Sequence, residues 1–179
     1  FMEQLELCDA FLMIGGQRIM PYHMQVIDHC FKTGKKLLGV CLGMQAVHSY
    51  FIVQEERKSR GTDEDYLSFY ERMKKERYFF VEPIEGHARG LDTCYKEENL
   101  RSVIVKADSL LASYLPEECI TASRHRYRIT KPAACLKISA FDPDDQTIEG
   151  LEIGENILCV QFHPELTDEF STLFSFLMT

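Results

Sequence analysis

No stretch of the 179 residues reaches the roughly 20 consecutive apolar positions that a bilayer-spanning helix needs, and no secretory n-region and h-region are visible. A membrane is therefore not an expected partner. Positive charge is also scarce: 20 Lys and Arg stand against 28 Asp and Glu, for a net charge of -8. That balance argues against nucleic acid as the main partner. There is no CxxC pair, and seven cysteines at irregular spacings make an odd count. Cys119, Cys135 and Cys159 sit inside apolar, strand-like runs. This usage excludes a disulfide framework or a cysteine zinc site and fits reduced thiols, so a cytoplasmic location is expected. Internal repeats, low-complexity tracts and linkers are absent as well. With 45% hydrophobic and 27% charged residues, the composition is that of an ordinary globular chain, expected as one domain over residues 1–179. The chain opens on Phe1 at a helix end rather than on Met, so an N-terminal portion is expected to be missing.

What is present centres on Leu37-Leu38-Gly39-Val40-Cys41-Leu42-Gly43-Met44-Gln45. A short apolar run stops on a cysteine with glycine two residues to either side, and a helix-compatible stretch over residues 44–51 follows. The pattern reads as strand, sharp turn, helix, with the thiol held at the turn in a strained conformation. The two glycines remove side chains where strand and helix come close. The helix N-terminus favours a thiolate. A buried structural cysteine is the plainer reading of a lone Cys, but the glycine spacing and the switch from strand to helix point to a nucleophile.

The remaining chain supplies the frame. Residues 10–14 read as a buried strand stopped by Gly15-Gly16, which is either a tight turn or a place where backbone N–H groups are presented. Pro21 suits the first turn of a helix, Met24, Ile27, Cys30 and Phe31 recur at helical spacing, and Gly34 closes it. Strand, helix, strand, helix predicts an α/β fold with a mostly parallel central sheet flanked by helices. Residues 55–77 form a charged helical insertion, with a capping box at Thr62-Asp63-Glu64-Asp65 and a stripe of Tyr66, Phe69, Tyr70 and Met73. It reads as a surface helix with a solvated charged face; a lid or partner-docking element is the other reading. The segment over 78–90 is irregular, and His87 within it either faces a cleft or, as is usual for a loop histidine, is solvated. Strands are expected over 102–106, 118–122, 136–141, 148–153 and 157–162, with a short capped helix over 108–115 and a hairpin loop at Asp142-Pro143-Asp144-Asp145-Gln146. Thr167 is expected to cap a last helix bearing Phe170, Leu173, Phe174 and Leu177. The cluster Ser123-Arg124-His125-Arg126-Tyr127-Arg128 either grips a carboxylate or is a basic surface loop.

Cys41 ends one expected strand, and His163 ends another in Gln161-Phe162-His163-Pro164-Glu165. Carboxyl ends of parallel strands converge on one crevice, which would bring nucleophile and base together. Glu165 can then hold the imidazole in one tautomer. The N–H of Leu42 and the Gly15-Gly16 turn are the expected oxyanion donors.

These two motifs, in this order and with the Gly-Gly turn upstream, resemble the class I glutamine amidotransferase superfamily over roughly residues 7–176. The resemblance implies a flavodoxin-like three-layer sandwich. It implies Cys41 as nucleophile, His163 as base, Glu165 as orienting acid, and Gln45 with the Gly16 and Leu42 amides as substrate or oxyanion contacts. The middle of the chain resembles the gamma-glutamyl hydrolase branch (peptidase family C26), where the stretch reads Ser-x-His-His-Gln; here Arg126 and Tyr127 take the last two places. His125-Arg126-Tyr127 is also similar to the amidotransferase domain of CTP synthase. His125 and Arg126 are accordingly expected at the substrate, with Arg126 or Arg124 on its carboxylate. The expected activity is hydrolysis of a gamma-glutamyl amide through a thioester on Cys41, with no metal or organic cofactor. A glutaminase subunit serving a separate synthase, or a thiol sensor on the same scaffold, are the other readings. A synthase or a second copy of the chain are the expected protein partners, and no ATP-binding loop is visible in these residues.

Overall fold

Leu37 and Leu38 are neighbours in the chain, both wholly buried, and belong to two different hydrophobic clusters. That is the period-two signature of a strand covered on both faces. The computed structural model describes residues 1–76, 79–87, 99–167 and 171–179, the Met2 side chain excepted. Cys94, Phe170 and, of the stretches discussed above, residues 77, 78 and 88–90 lie outside the described residues.

A short helix α1 (Met2–Leu7) precedes β1 (Ala10–Met13), α2 (Pro21–Thr33), β2 (Lys36–Val40) and α3 (Leu42–Arg60). Then come α4 (Tyr66–Lys75), β3 (Val81–Pro83), β4 (Leu100–Val105), β5 (Glu118–Ala122) and β6 (Tyr127–Ile129). The chain closes with β7 (Lys137–Phe141), β8 (Ile148–Ile153), β9 (Ile157–Val160) and α5 (Ser171–Phe174). Seven strands form one sheet in the order β1-β2-β9-β8-β7-β4-β5, and β3 pairs with β6 in a separate ribbon.

The α/β class and its flanking helices are as expected, and the sheet is mixed. β1, β2 and β9 run parallel, whereas the β9–β8, β8–β7, β7–β4 and β4–β5 pairings are antiparallel. The antiparallel half follows from its connections: β7 to β8 and β8 to β9 are hairpins, too short for a crossover. One face of the sheet packs Leu37, Leu151 and Cys159 against Met24, Ile27, Met44, Val47 and Phe69 from the helices. The other packs Leu38, Val103, Leu158 and Val160 against Phe162, Leu173 and Phe176. Among the described residues, no helix is long and apolar enough to cross a membrane.

Several local expectations shift. The helix after Cys41 runs on to Arg60, so the first residues of the charged 55–77 stretch complete α3. Gly61 ends it with φ 57°. Thr62 does not open a capping box; it accepts from the Glu64 amide, and Asp65 caps α4 by accepting from the Ser68 amide at 3.0 Å. The stripe is real: Phe69, Tyr70 and Met73 are buried against α3. Cys135 is exposed, because residue 135 falls in the turn before β7 rather than inside a strand. The six described cysteines are free thiols.

The elbow depends on close backbone approach. A Cβ on Gly43 would stand 2.4 Å from the Met13 carbonyl oxygen, and one on Gly39 would stand 3.0 Å from the Gly43 carbonyl carbon. The first turn of α3 is thereby pressed against β1 and β2. Gly34 differs: its φ is 75° and nothing lies within 4 Å of an added Cβ. Gly43→Ala is expected to destabilise the fold by about 3 kcal/mol, the upper end of overpacking costs, because backbone must move. Gly34→Ala should cost about 1 kcal/mol, from backbone strain alone. Urea unfolding of both variants measures the difference; equal losses would mean that α3 is not held by this contact.

Candidate active site

Cys41 has φ 52° and ψ −103°, a conformation outside the regions L-residues favour. Flanking structure enforces it. The Cys41 amide donates to the Val160 carbonyl of β9 at 2.8 Å, while Leu42 already begins α3. The chain must therefore turn within one residue from sheet pairing into helix. The thiol is left at the N-terminus of α3, where unpaired helix amides gather.

His163 arrives from the parallel neighbour, just past the end of β9, and its own amide donates to the Ala122 carbonyl at the end of β5 at 2.8 Å. Its Nδ1 lies 2.7 Å from Glu165 Oε1, within the short helical turn Pro164–Leu166. Nδ1–H donates to that carboxylate, which turns Nε2 toward the thiol. Burial alone would lower the His163 pKa, but hydrogen bonds to Cys41 and Glu165, with their negative charges, outweigh it and raise the pKa to about 9. Burial acts to raise the Glu165 pKa, and the hydrogen bond from His163 more than offsets it, holding the carboxyl below its ordinary value. Near neutral pH His163 is thus an imidazolium lying between the Cys41 sulfur and the Glu165 carboxylate.

Gly15, on the turn after β1, closes the third side. A Cβ there would fall 2.7 Å from His163 Cε1 and 3.6 Å from Cys41 Cβ. Only glycine lets the turn approach both groups. The sequence motif placed this glycine beside the oxyanion donors, but its contact with the imidazole carries no local signal. A Cβ on Gly16 would fall 2.9 Å from Leu42 Cδ2, so this turn packs against the first residue of α3.

A cleft of about 560 Å³ opens over the thiol. Gly16, Cys41, Leu42, Gln45, His125 and Arg126 all line it, whereas His163 and Glu165 are not part of its lining. Gln17, Arg124 and Tyr127 line it too; of these, Gln17 was not anticipated. Gln45 is held by Nε2 donating to Gln161 Oε1 at 3.2 Å. Arg126 is exposed on the wall and makes no ion pair among the described residues. His125 borders the cleft, but its ring is 2% exposed and points inward, with Nδ1 3.0 Å from the Tyr127 carbonyl and Nε2 3.0 Å from His87 Nδ1. The imidazole is thus turned away from the cleft. His87, read from sequence as cleft-facing or solvated, is wholly buried.

Known proteins share this fold. The family model described as glutamine amidotransferase class-I matches residues 9–176. CTP synthase of Acinetobacter baylyi is 29% identical over 189 residues, covering 91% of this chain and 33% of that protein. The chain thus spans about a third of the length of that relative. Imidazole glycerol phosphate synthase subunit HisH of Nostoc punctiforme is 24% identical over 172 residues, covering 91% of this chain and 73% of that one. The glutaminase domain of Trypanosoma brucei CTP synthase, solved with acivicin bound, superposes with a TM-score of 0.68 at 20% identity, over 98% of this chain and 72% of that one. With the match running from just before β1 to just past α5, the chain belongs to the class-I glutamine amidotransferase family.

Proposed function

We propose that this chain is a glutaminase: it hydrolyses the side-chain amide of glutamine through a gamma-glutamyl thioester on Cys41. One observation carries the reading. A thiol in a strained turn is hydrogen-bonded to an imidazole that is itself bonded to a carboxylate, and the thiol lines a cleft together with Gly16 and Leu42, the two candidate amide donors.

The chemistry follows from the groups. The Cys41 sulfur, its proton already held on His163 Nε2, attacks the side-chain amide carbon, and the carbonyl oxygen takes up negative charge. The Leu42 and Gly16 amides are assigned to that oxygen; a donor of this kind is typically worth about 3 kcal/mol in the transition state. The imidazolium of His163 gives its Nε2 proton to the departing nitrogen, so ammonia leaves and a thioester remains. Water then attacks the thioester, His163 takes the proton, and glutamate departs as the thiol is restored. Glu165 keeps the ring oriented through both halves. The exposed Arg126 guanidinium is assigned to the substrate carboxylate, and Gln45 to the substrate edge.

The relatives shift the balance between the expected branches. They include a CTP synthase, the glutaminase domain of another and a subunit of imidazole glycerol phosphate synthase, which supports a synthase-linked glutaminase over the gamma-glutamyl hydrolase branch. Ammonia is therefore assigned to a synthase active site, on another chain or another part of the same polypeptide. The competing hydrolase reading demands turnover of gamma-glutamyl amides with bulky leaving amines.

A panel of glutamine and gamma-glutamyl amides, scored for glutamate release, separates the two. Glutamine alone is expected to turn over, with a rise when the synthase partner is present; preference for bulky amides would overturn the glutaminase assignment. Cys41→Ala should fall below about a thousandth of wild-type kcat. Arg126→Ala should raise KM for glutamine about 10- to 100-fold with kcat little changed, the loss of one charged hydrogen bond. An unchanged KM would remove Arg126 from the substrate.

The pH dependence has a definite sign. The folded pKa of His163 lies above its ordinary 6.5, so its contribution to stability is full below about 6.5 and disappears as pH rises through about 9. Glu165 contributes above its ordinary 4.5 and loses that contribution as pH falls through its depressed value. An NMR titration of the His163 ring should show a midpoint near 9 in the wild type and a clearly lower one in Cys41→Ala. A wild-type midpoint near 6.5 would show that the thiol and the ring do not meet.

A further inference from the structure

Behind the cleft wall, three side chains converge in the protein interior. His87 is 0% exposed, Glu149 1% and His125 2%. Their facing atoms form a triangle: His87 Nδ1 to His125 Nε2 is 3.0 Å, His125 Nε2 to Glu149 Oε1 is 3.3 Å, and His87 Nδ1 to Glu149 Oε1 is 3.7 Å.

The outer ring atoms are already committed. His87 Nε2 stands 2.8 Å from Asp145 Oδ2, and His125 Nδ1 stands 3.0 Å from the Tyr127 carbonyl oxygen. Both partners are pure acceptors, so each outer nitrogen carries the N–H. In neutral rings the inner nitrogens are then bare lone pairs. Two lone pairs face each other at 3.0 Å, beside a carboxylate. Neither oxygen of Glu149 has a hydrogen-bond partner among the described residues. Ser123 Oγ lies 3.1 Å from His87 Nδ1, but its hydroxyl donates to the His87 carbonyl oxygen, also at 3.1 Å, and so brings no proton to the triangle. Acceptors facing one another away from water repel unless a proton or a metal cation sits among them.

We infer that His87 Nδ1, His125 Nε2 and the Glu149 carboxylate form a zinc site. Ligand atoms about 2.0–2.1 Å from a tetrahedral zinc are separated by about 3.3 Å, and the three edges of the triangle bracket that value. Two neutral imidazoles and one carboxylate suit zinc. The outer contacts are the pattern that fixes metal-binding histidines: one ring N–H on a carboxylate, the other on a backbone carbonyl. The fourth position is open to Ser123 Oγ, 3.1 Å from His87 Nδ1, or to water. Asp142 is not needed, because Arg101 already pairs with it at 2.7 Å.

The ion has a structural consequence. His125 belongs to the same short loop as Arg124, Arg126 and Tyr127, which line the cleft. A metal at His87, His125 and Glu149 fastens that loop to β8 and to the segment after β3. It is a brace for the cleft wall, remote from the thiol chemistry and independent of the thioester assignment. The sequence offered no warning, since the ligands lie 38, 24 and 62 positions apart and match no spaced metal motif.

The test uses the whole chain, stripped with a chelator and then dialysed against zinc or cobalt(II). One zinc per chain is expected by elemental analysis, and the cobalt form should show tetrahedral ligand-field bands without a thiolate charge-transfer band. Binding should persist in Cys41→Ala and weaken at least about 10-fold in Glu149→Gln. If Glu149→Gln does not fold, Asp145→Asn serves instead, since loss of such an outer partner typically costs about 10- to 100-fold in affinity. Zinc should also raise the melting temperature of the wild type and not that of the variant. No metal retained by the wild type would overturn the inference and leave a proton between the two rings. Metal lost in Cys41→Ala but kept in Glu149→Gln would place the ion on the active-site thiol and overturn it equally.

Discussion

Everything at this site depends on one residue held where L-amino acids rarely go. Cys41 has φ 52°, a strain of order 1–3 kcal/mol. It survives because both sides of the turn are fixed independently. On the sheet side, its amide is bound to β9; on the helix side, Met44, Val47, Tyr50 and Phe51 are buried within the core. Relaxing the turn would pull one of these anchors out. The result is a thiol kept at the edge of the core, 7% exposed, where three parallel strand ends meet.

The same constraint explains why glycine recurs around it. Gly15, Gly39 and Gly43 each face an atom that an added methyl group would strike, and the three contacts lie on different sides of the cysteine. Gly15 faces the imidazole, Gly39 faces the helix, and Gly43 faces β1. Removing the side chains lets backbone come within touching distance of the reacting groups. Electrostatic preorganisation of this kind needs short distances more than it needs many donors.

How much of this could be read from the chain depended on range in sequence. The elbow and the His163-Pro164-Glu165 turn are local patterns, and the structure has both, with the histidine bonded to the glutamate two residues on. Convergence of Cys41 and His163 followed from the rule that parallel strands end together, and β2 and β9 are indeed adjacent and parallel. Of the antiparallel half, the β7–β8 hairpin was legible from its turn residues, but the insertion of β4 between β7 and β5 was not, because turn chemistry names only neighbours in the chain. The helix cap moved from Thr62 to Asp65 because both offer an acceptor at suitable spacing, and only the αL exit of α3 at Gly61 decides between them. His87 looked solvated because its burial is made by Ser123, His125 and Asp145, none of them near it in sequence.

The two histidine clusters use nearly the same side chains to opposite ends, and protons decide which is which. At the cleft, His163 lies between a thiol and a carboxylate and keeps its second proton up to about pH 9. An imidazolium has no free lone pair, so near neutral pH this set donates a proton and does not ligate. That matters, because thiolate, imidazole and carboxylate would otherwise be a good zinc set, and a metal there would block the nucleophile. Behind the wall, each outer nitrogen of His87 and His125 is spent on an acceptor, and the inner ones are left bare beside an unpartnered carboxylate. Those lone pairs attract a cation and have no substrate within reach. A chain can therefore hold a metal brace and a metal-sensitive thiol on two sides of one short loop, provided the hydrogen-bond partners outside each imidazole fix where its protons sit.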